Sequence, residues 1–383
     1  MSAPDRLHAM DNLRALAMLS GVLFHAALAY SPLAHDVVPT ADRVSSTAVD
    51  VGIWFLHLFR MPLFFVVAGF FAAMLVAKRG VGGMFRNRFM RIALPFVIFL
   101  PLVHVALKYS TLHAAETVQH PSPVLAIIRQ LLQTQGLPEQ LPGTGHLWFL
   151  YYLLFFYVLV WSAKNFGLET LGQRVRDLAP AWLLGVLPLL LVPALASVSA
   201  PHPAPESLLP QFWAFGYYGP FFAFGYLLYG HDAMMERLRP LAPWLLAASL
   251  ILYGVFWVLL DRHAPSAQDP SASWPLAVLE AYIGVWMTCA CLVAGKAWLN
   301  RRYVVLRYLS DASYWIYLVH LPILFALQYR LLDVKAPWGI KFAASVLATF
   351  ALCLLGYHAV VRKTRLGGLL GARSPAAMVQ AGK

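Results

Sequence analysis

Ten long apolar segments dominate this chain and restrict what it can fold into. Most are close to the length of about 20 residues that an α-helix needs to cross the hydrocarbon core of a bilayer. They cover residues 12–30, 51–77, 90–110, 147–163, 181–199, 212–230, 241–260, 274–295, 308–332 and 338–361. The segments are too long for membrane β-strands and lack their alternation of apolar and polar residues. The sequence therefore predicts an all-α transmembrane bundle of about ten helices.

The composition excludes a water-soluble fold. Apolar residues make up 60% of the 383 residues and charged residues only 12%, whereas soluble domains average about one half and one quarter. A net charge of +12 would suggest a nucleic-acid partner for a soluble chain. In a membrane protein the same excess arises because basic residues gather in cytoplasmic loops. We therefore expect the lipid bilayer as the solvent and no nucleic acid as a partner.

The basic residues also predict the orientation of the helices. If the N-terminus is cytoplasmic, 20 of the 29 lysines and arginines fall in cytoplasmic segments and six in outer segments. This follows the positive-inside rule and predicts a multi-pass protein of the bacterial inner membrane with both termini in the cytoplasm. The first segment resembles a signal peptide. We interpret it as an uncleaved helix, because cleavage after Ala29 would remove His25.

The sequence predicts a single transmembrane domain over residues 1–370. Residues 371–383 are rich in small side chains and are expected to form a disordered cytoplasmic tail. The outer loop at 111–146 is too long for a simple connector, and such loops often carry binding residues. The three cysteines all lie inside apolar segments and match neither a disulfide framework nor a zinc motif. No metal is expected, and the oligomeric state is left open.

Ionisable residues within the predicted spans mark a candidate site in the outer half of the membrane. Such groups are costly in lipid and usually face a bundle interior or a cavity. In the predicted orientation, five such residues lie at a similar depth in the membrane: His25, His57, Arg60, His104 and Glu280. Each histidine alone suits an interhelical hydrogen bond, and Glu280 with Arg60 suits a structural ion pair. Five such groups at one depth favour a functional site, in which Arg60 or a histidine pairs with the carboxylate.

A second group of charges lies at the predicted cytoplasmic mouth. It comprises Arg14, Arg86, Arg88 and Arg91. Arg14 shares a helix face with His25 and lies about 16 Å from it along the axis, because eleven residues make close to three full turns. Guanidinium groups bind phosphate oxygens through paired hydrogen bonds, so the group suits a multiply charged phosphate ligand. Ordinary positive-inside topology explains it equally well.

Aromatic residues follow a histidine at the outer start of the fourth span. His146 and Trp148 precede Tyr151 and Tyr152. These side chains suit an interfacial aromatic belt or a platform on which a sugar ring stacks. The sequence leaves both interpretations open.

Several of these motifs resemble those of the membrane-bound acyltransferase family of type three. Asp11-Asn12-Leu13-Arg14, followed after ten residues by His25, is similar to the opening motif of the family. The segment 64–70 is similar to its second-span motif, with Ala68 where serine is usual. Arg88-x-x-Arg91, residues 146–150 and residues 313–320 are similar to its basic pair, its fourth-span start and its late helix. The motifs keep the family's order over most of the chain.

The resemblance implies an O-acyltransferase that moves an acyl group from acyl-CoA to a hydroxyl of a periplasmic or cell-surface glycan. Acetyl-CoA and succinyl-CoA are the expected donors. The segment 57–65 is similar to a branch of the family that is associated with succinyl transfer onto osmoregulated periplasmic glucans. A multi-span transporter or flippase of a glycan or lipid-linked precursor is the alternative. It would more often show an inverted repeat, and we find none.

Within this interpretation each candidate residue has an expected role. The arginine group binds the phosphates of the donor, and His25 is the general base, with His57 as the next candidate. Glu280 orients the imidazole, and Arg60 stabilises the oxyanion or holds the free carboxylate of a dicarboxylic donor. The acceptor is expected to contact His146, Trp148 and His320.

Overall fold

The fold is entirely helical where it can be described. The computed structural model describes residues 3–134, 136, 143–167, 180–262, 274–301, 303–364 and 367. Its helices are α1 (Ala3–Leu28), α2 (Thr47–Arg88), α3 (Leu94–Thr117), α4 (Pro123–Thr134), α5 (Trp148–Asn165), α6 (Leu187–Leu195), α7 (Phe212–Leu228), α8 (Asp232–Leu238), α9 (Ala242–Arg262), α10 (Trp274–Trp298), α11 (Val304–Leu331) and α12 (Trp338–Gly356). The predicted all-α class is confirmed, and the predicted tail at 371–383 lies outside the described residues.

Each of the ten predicted apolar segments coincides with a helix. By length and composition, five helical stretches of the described chain could cross a membrane. They are Thr47–Thr117, Gly145–Asn165, Ala233–Leu260, Trp274–Trp298 and Trp338–Val361. The first of these contains two predicted spans. That all ten segments cross the bilayer stays a prediction. The amphipathic helix α4 lies in the long loop at 111–146, which the sequence had singled out as more than a connector.

Helix α2 is interrupted at a glycine. Gly80 has a φ of +68°, a left-handed conformation that glycine adopts without the steric penalty of a Cβ atom. The apolar part of α2 therefore ends at this break, and a short basic helix follows it. A π-helical turn at Phe89–Ala93 then leads into α3. Such turns are frequent at functional sites, and this one contains Arg91.

The helices form two compact units, and each unit is assembled from three separate stretches of the chain. The first unit consists of Met1–Ala17, Phe55–Ala93 and Trp148–Tyr303. The second unit consists of Met18–Trp54, Leu94–Leu147 and Val304–Lys383. The single domain predicted over residues 1–370 stays a prediction.

Two glycines let the backbones of α2 and α7 meet in the first unit. A Cβ atom on Gly69 would overlap the carbonyl of Phe222, and one on Gly225 would overlap the carbonyl of Val66. Small residues at helix contacts allow such close approach within membranes. The contact fixes α2, which contains His57 and Arg60, against α7.

An asparagine of the opening motif anchors the start of α1 in the same unit. The side-chain amide of the buried Asn12 donates to the carbonyls of Leu299, at 2.8 Å, and Arg301, at 3.2 Å. These carbonyls follow the end of α10, so they lack donors from the helix itself. Asn12 therefore ties the helix that contains Arg14 to the C-terminal end of α10.

Polar contacts hold the end of α1 in the second unit. Lys341 on α12 forms a buried ion pair with Asp42, with 2.7 Å between Nζ and Oδ2. The side-chain amide of Gln328 on α11 donates to the carbonyl of Ala26 at 2.9 Å. Ala26 directly follows His25, so α11 fixes α1 at the predicted base.

Candidate functional site

Four arginines come together in the first unit. Arg14 lies on α1, Arg79 and Arg88 on α2, and Arg91 on the π-helical turn, and the other three lie close enough to Arg91 for their charges to act on it. The guanidinium of Arg88 lies over the ring of Tyr157, 5.1 Å from its centroid. Cation–π contact of this kind holds a guanidinium in place. Four like charges held together suit an anion with several negative charges, and binding of the donor there stays a prediction.

The sequence predicted most of this arginine cluster. Arg14, Arg88 and Arg91 were expected, and the structure brings them together. Arg79 was assigned only to membrane topology, and no signal in the sequence distinguished it from other loop arginines. Arg86 is exposed and makes no ion pair with another described residue. Its predicted part in donor binding stays a prediction.

A buried polar cluster also lies in the first unit, around His202. The ring Nε2 of His57 donates to the carbonyl of His202 at 2.8 Å. The backbone N–H of His202 donates to Oε1 of Glu280 at 3.0 Å, and its ring Nδ1 lies 3.5 Å from Oε2. His202 and Glu280 are each 1% exposed. The carboxyl group of Glu280 therefore accepts from the backbone of this histidine and faces its ring.

Neighbouring groups keep the ring of His202 neutral. Burial, and then the charge of Arg60, lowers the pKa of His202 to about 3. The rings of Tyr217 and Tyr218 enclose it, with centroids 4.9 and 6.1 Å away. The contact between the neutral ring of His202 and the carboxyl group of Glu280 is therefore not a salt bridge.

The structure identifies the partner of Glu280. Arg60 or a histidine was expected, and the partner is a histidine that the sequence interpretation had not singled out. His202 lies outside every predicted span, in the segment between α6 and α7. Its position between Pro201 and Pro203 was the available signal, since prolines exclude a helix and leave backbone groups free to bind side chains.

Three histidines form a row in the second unit. His25 comes from α1, His320 from α11, and His146 from a 3₁₀ turn at Gly145–Leu147. The ring centroid of His320 lies 5.4 Å from that of His25 and 5.1 Å from that of His146. His146 and His320 are buried, whereas His25 is only partly buried. His25 is therefore the most exposed member of the row.

Backbone carbonyls fix the tautomers of the two buried histidines. Nδ1 of His320 donates to the carbonyls of Ile316, at 3.1 Å, and Tyr317, at 2.9 Å. Nε2 of His146 donates to the same carbonyl of Tyr317 at 3.2 Å, and the hydroxyl of Tyr317 donates to the carbonyl of His146 at 2.7 Å. A neutral imidazole has only one N–H group. Nε2 of His320 and Nδ1 of His146 are therefore the nitrogens without a proton.

A proline in α11 explains why one carbonyl is available there. Pro322 has no N–H group, so the carbonyl of Leu318 four residues earlier has no helical donor. The ring of His146 interacts with this carbonyl as well as with that of Tyr317. Pro322 thus frees one of the two carbonyls that interact with the ring of His146.

The predicted residues are divided between the two units. His57, Arg60 and Glu280 belong to the first unit, and His25 and His104 to the second, so their common depth stays a prediction. His146 and His320, expected to contact the acceptor, lie in the row with the predicted base. Trp148 is buried in the first unit, with its ring 5.2 Å from that of Tyr218, so packing accounts for its position. Its predicted stacking with a sugar stays a prediction.

In the part of the chain that is described, no group of three or more His, Cys, Asp or Glu residues is arranged to hold a metal ion. The three histidines of the row form no such group. Backbone carbonyls accept hydrogen bonds from one nitrogen of His146 and one of His320. Each of these two rings therefore has a defined tautomer.

Comparison with known proteins identifies the family. A family model described as an acyltransferase domain matches residues 7–358. Proteins named glucans biosynthesis protein C, from Salmonella typhi and Salmonella typhimurium strain LT2, are each 24% identical over 385 residues, covering 97% of this chain and 96% of the relative. No solved structure shows significant similarity. The predicted family is confirmed: the chain belongs to the acyltransferase family of type three and is a multi-pass membrane acyltransferase.

Proposed function

We propose that this acyltransferase moves an acyl group from cytoplasmic acyl-CoA to a hydroxyl of a periplasmic or cell-surface glycan. The observation that supports it best is the row of His25, His320 and His146. A hydroxyl is a poor nucleophile at neutral pH, and histidine is the side chain best suited to accept its proton there. Relatives named glucans biosynthesis protein C suggest a glucan as the acceptor. Membership of an acyltransferase family favours an enzyme over the transporter alternative.

The arginine cluster of the first unit supports acyl-CoA as the donor. The nucleotide part of CoA carries several phosphate charges, and guanidinium groups bind phosphate oxygens through paired hydrogen bonds. Arg88 is held in place by Tyr157, and Arg14 by the ring of Phe71 and by Asp11. Acetyl-CoA and succinyl-CoA are the proposed donors.

The proposed reaction is a direct transfer with His25 as the base. His25 takes the proton of the acceptor hydroxyl while the oxygen attacks the thioester carbonyl. The C–S bond then breaks, and the CoA thiolate takes the proton from His25. Arg60 is proposed to stabilise the oxyanion or to hold the free carboxylate of a succinyl donor. An acyl-histidine route would use the same residue in a different role.

The protein is proposed to cross the inner membrane ten times, with both termini in the cytoplasm. The distribution of basic residues supports this orientation. Reporter fusions after residue 130 should be periplasmic, and fusions after residue 383 should be cytoplasmic. If either fusion lies on the opposite side of the membrane, the proposed orientation is wrong. Binding of the donor from the cytoplasm is then wrong as well.

Envelope glycans provide the test of the function. Glycans from cells with the gene should have acyl substituents that are missing from cells without it, and mass spectrometry measures the difference. Purified protein should transfer labelled acyl groups from acyl-CoA to those glycans. Unchanged glycans, together with no consumption of acyl-CoA by purified protein, would reject the proposed reaction.

A further inference from the structure

We propose that α4 is a membrane-surface helix whose exposed apolar side chains insert into the outer leaflet of the bilayer. The helix lies in the long loop at 111–146, between two predicted spans. Its partner is the lipid itself, at the boundary between the headgroups and the acyl chains. The inference depends on α3 crossing the membrane and not on the proposed reaction, so the two are tested separately.

The first step is the way in which α4 is fixed to the protein. Its start is capped by Ser122, whose hydroxyl accepts from the N–H of Leu125 at 3.2 Å and donates to the carbonyl of Pro39 at 2.7 Å. Leu125 is fully buried in an apolar cluster with the ends of α3 and α11, and Ile128 packs against the same cluster. The helix therefore has one defined orientation about its own axis.

Charged side chains hold the turn between α3 and α4. The guanidinium of Arg129 donates to the carbonyls of Ala115 and Val118, at the end of α3, where helical donors are missing. Asp333, which follows α11, accepts from two backbone N–H groups of the turn, at 2.9 and 3.0 Å. Arg129 is the one charged residue of α4. Its guanidinium is therefore used within the protein.

The second step is the apolar stripe that the protein leaves uncovered. Val124, Ile127 and Leu131 follow one another at spacings of three and four residues, so they share one face of α4. Ile127 is 57% exposed, and the other two are partly buried. Gln133 is exposed on the opposite side, about 120° from Ile127 around the axis. Apolar and polar surfaces on opposite sides are typical of a helix that lies in a membrane interface.

The third step is the depth of the helix. Leu102, Val105 and Tyr109 form an exposed stripe along α3, which is expected to face lipid, and Tyr109 is 77% exposed. Aromatic side chains at the end of a span mark the interface. Ala114, in the cluster on which α4 packs, lies about 8 Å further along the axis of α3. The headgroup layer of one leaflet is about 5–8 Å thick. The helix α4 therefore lies at the level of the headgroups, within reach of the acyl chains.

The fourth step decides which property of the lipid matters. Surface helices bind through buried apolar area and through attraction between basic side chains and anionic lipids. In α4 the basic contribution is small, because its single arginine donates to carbonyls of α3. Insertion should therefore depend on the apolar stripe and not on the charge of the headgroups.

Spin labels on Ile127→Cys and Gln133→Cys test the inference in phosphatidylcholine vesicles. Oxygen concentrates in the acyl chains, whereas a water-soluble nickel chelate stays outside them. The ratio of oxygen to nickel accessibility should be higher at residue 127 than at residue 133 by about tenfold or more, the preference that burial of such a side chain gives. Leu131→Cys should give the same result as Ile127→Cys. Addition of phosphatidylglycerol should leave the ratios unchanged.

Two controls accompany the labels. The native protein gives the labelling background, because Cys289 and Cys353 are buried and Cys291 is partly buried. Thermal unfolding like that of the native protein shows that each variant is folded.

Three results would overturn the inference. If both labels of the apolar stripe are as accessible to nickel as the control label, α4 faces water. If they are shielded from both reagents, protein covers the stripe, such as a second copy of this chain. If they enter the lipid only when phosphatidylglycerol is present, charge and not the apolar stripe drives binding. None of these results depends on whether acyl transfer occurs.

Discussion

The polar cluster around His202 and the histidine row around His320 both contain buried histidines, but they hold them in different ways. In the first unit a carboxylate, Glu280, binds the backbone and faces the ring of His202. In the second unit backbone carbonyls of α11 bind the rings of His146 and His320. The first arrangement buries a group that ionises, whereas the second uses neutral acceptors that a proline-containing helix supplies.

This difference indicates different roles. A buried carboxylate is costly unless its neighbours compensate it, and its contacts here fix the segment between α6 and α7. A carbonyl adds no charge, and it leaves each bound histidine with one defined lone pair. We therefore interpret the cluster around His202 as the anchor of a loop and the histidine row as the place of proton transfer. Four sets of substitutions test these roles.

The largest effect is expected for His25. His25→Ala and His25→Gln should both lower acyl transfer by about 10²- to 10⁴-fold, the contribution of a general base. Glutamine keeps hydrogen-bonding groups but accepts no proton at neutral pH. Transfer of labelled acyl groups by purified protein measures the loss, and CoA binding shows that the variant is folded. Substantial transfer by His25→Gln would instead make His57 the next candidate base.

Arg88 and Arg91 should dominate binding of the donor. Each change to alanine removes a charge-assisted hydrogen bond, with a loss of about 1.5–3 kcal/mol, or roughly 10- to 150-fold in Kd. Calorimetry with CoA measures this directly. Arg239→Ala is the matched control, because its side chain is 75% exposed and its partner is Glu236 outside the cluster. Unchanged CoA affinity in the Arg88 and Arg91 double variant would mean that the cluster determines membrane topology and does not bind the donor.

The sequence predicted the helices better than the site. Apolar segments of membrane-spanning length require helices, because backbone groups in lipid must bond within their own segment. His25, Arg14 and the basic pair were recognisable from motifs. Arg79 and His202 were not, since their roles depend on contacts between distant parts of the chain. The tautomers of His146 and His320 depend on carbonyls near Pro322. Residue types alone do not show which of these carbonyls accepts a hydrogen bond from each ring.

Substitution of Glu280 tests whether this residue anchors the loop or acts in catalysis. Glu280→Ala leaves the N–H of His202 without its acceptor, which should destabilise the protein by about 1–3 kcal/mol. Glu280→Gln keeps one acceptor and should lose less. Thermal unfolding in detergent, with acyl transfer measured beside it, gives both quantities. If Glu280→Gln abolished transfer while stability and CoA binding stayed intact, Glu280 would act in the chemistry, as the sequence predicted, and the contrast between the two clusters would fail.

The smallest effect is expected for Tyr317, whose hydroxyl donates to the carbonyl of His146 at 2.7 Å. Tyr317→Phe removes this bond but keeps the Tyr317 carbonyl that holds both rings, so both tautomers should persist. The net loss of stability should be about 1 kcal/mol, with kcat lowered by less than about tenfold. Tyr109→Phe, at an exposed tyrosine of α3, is the control. A loss of transfer as large as that of His25→Gln would mean that the hydroxyl of Tyr317 contacts the reacting groups, and carbonyls alone would then not explain the row.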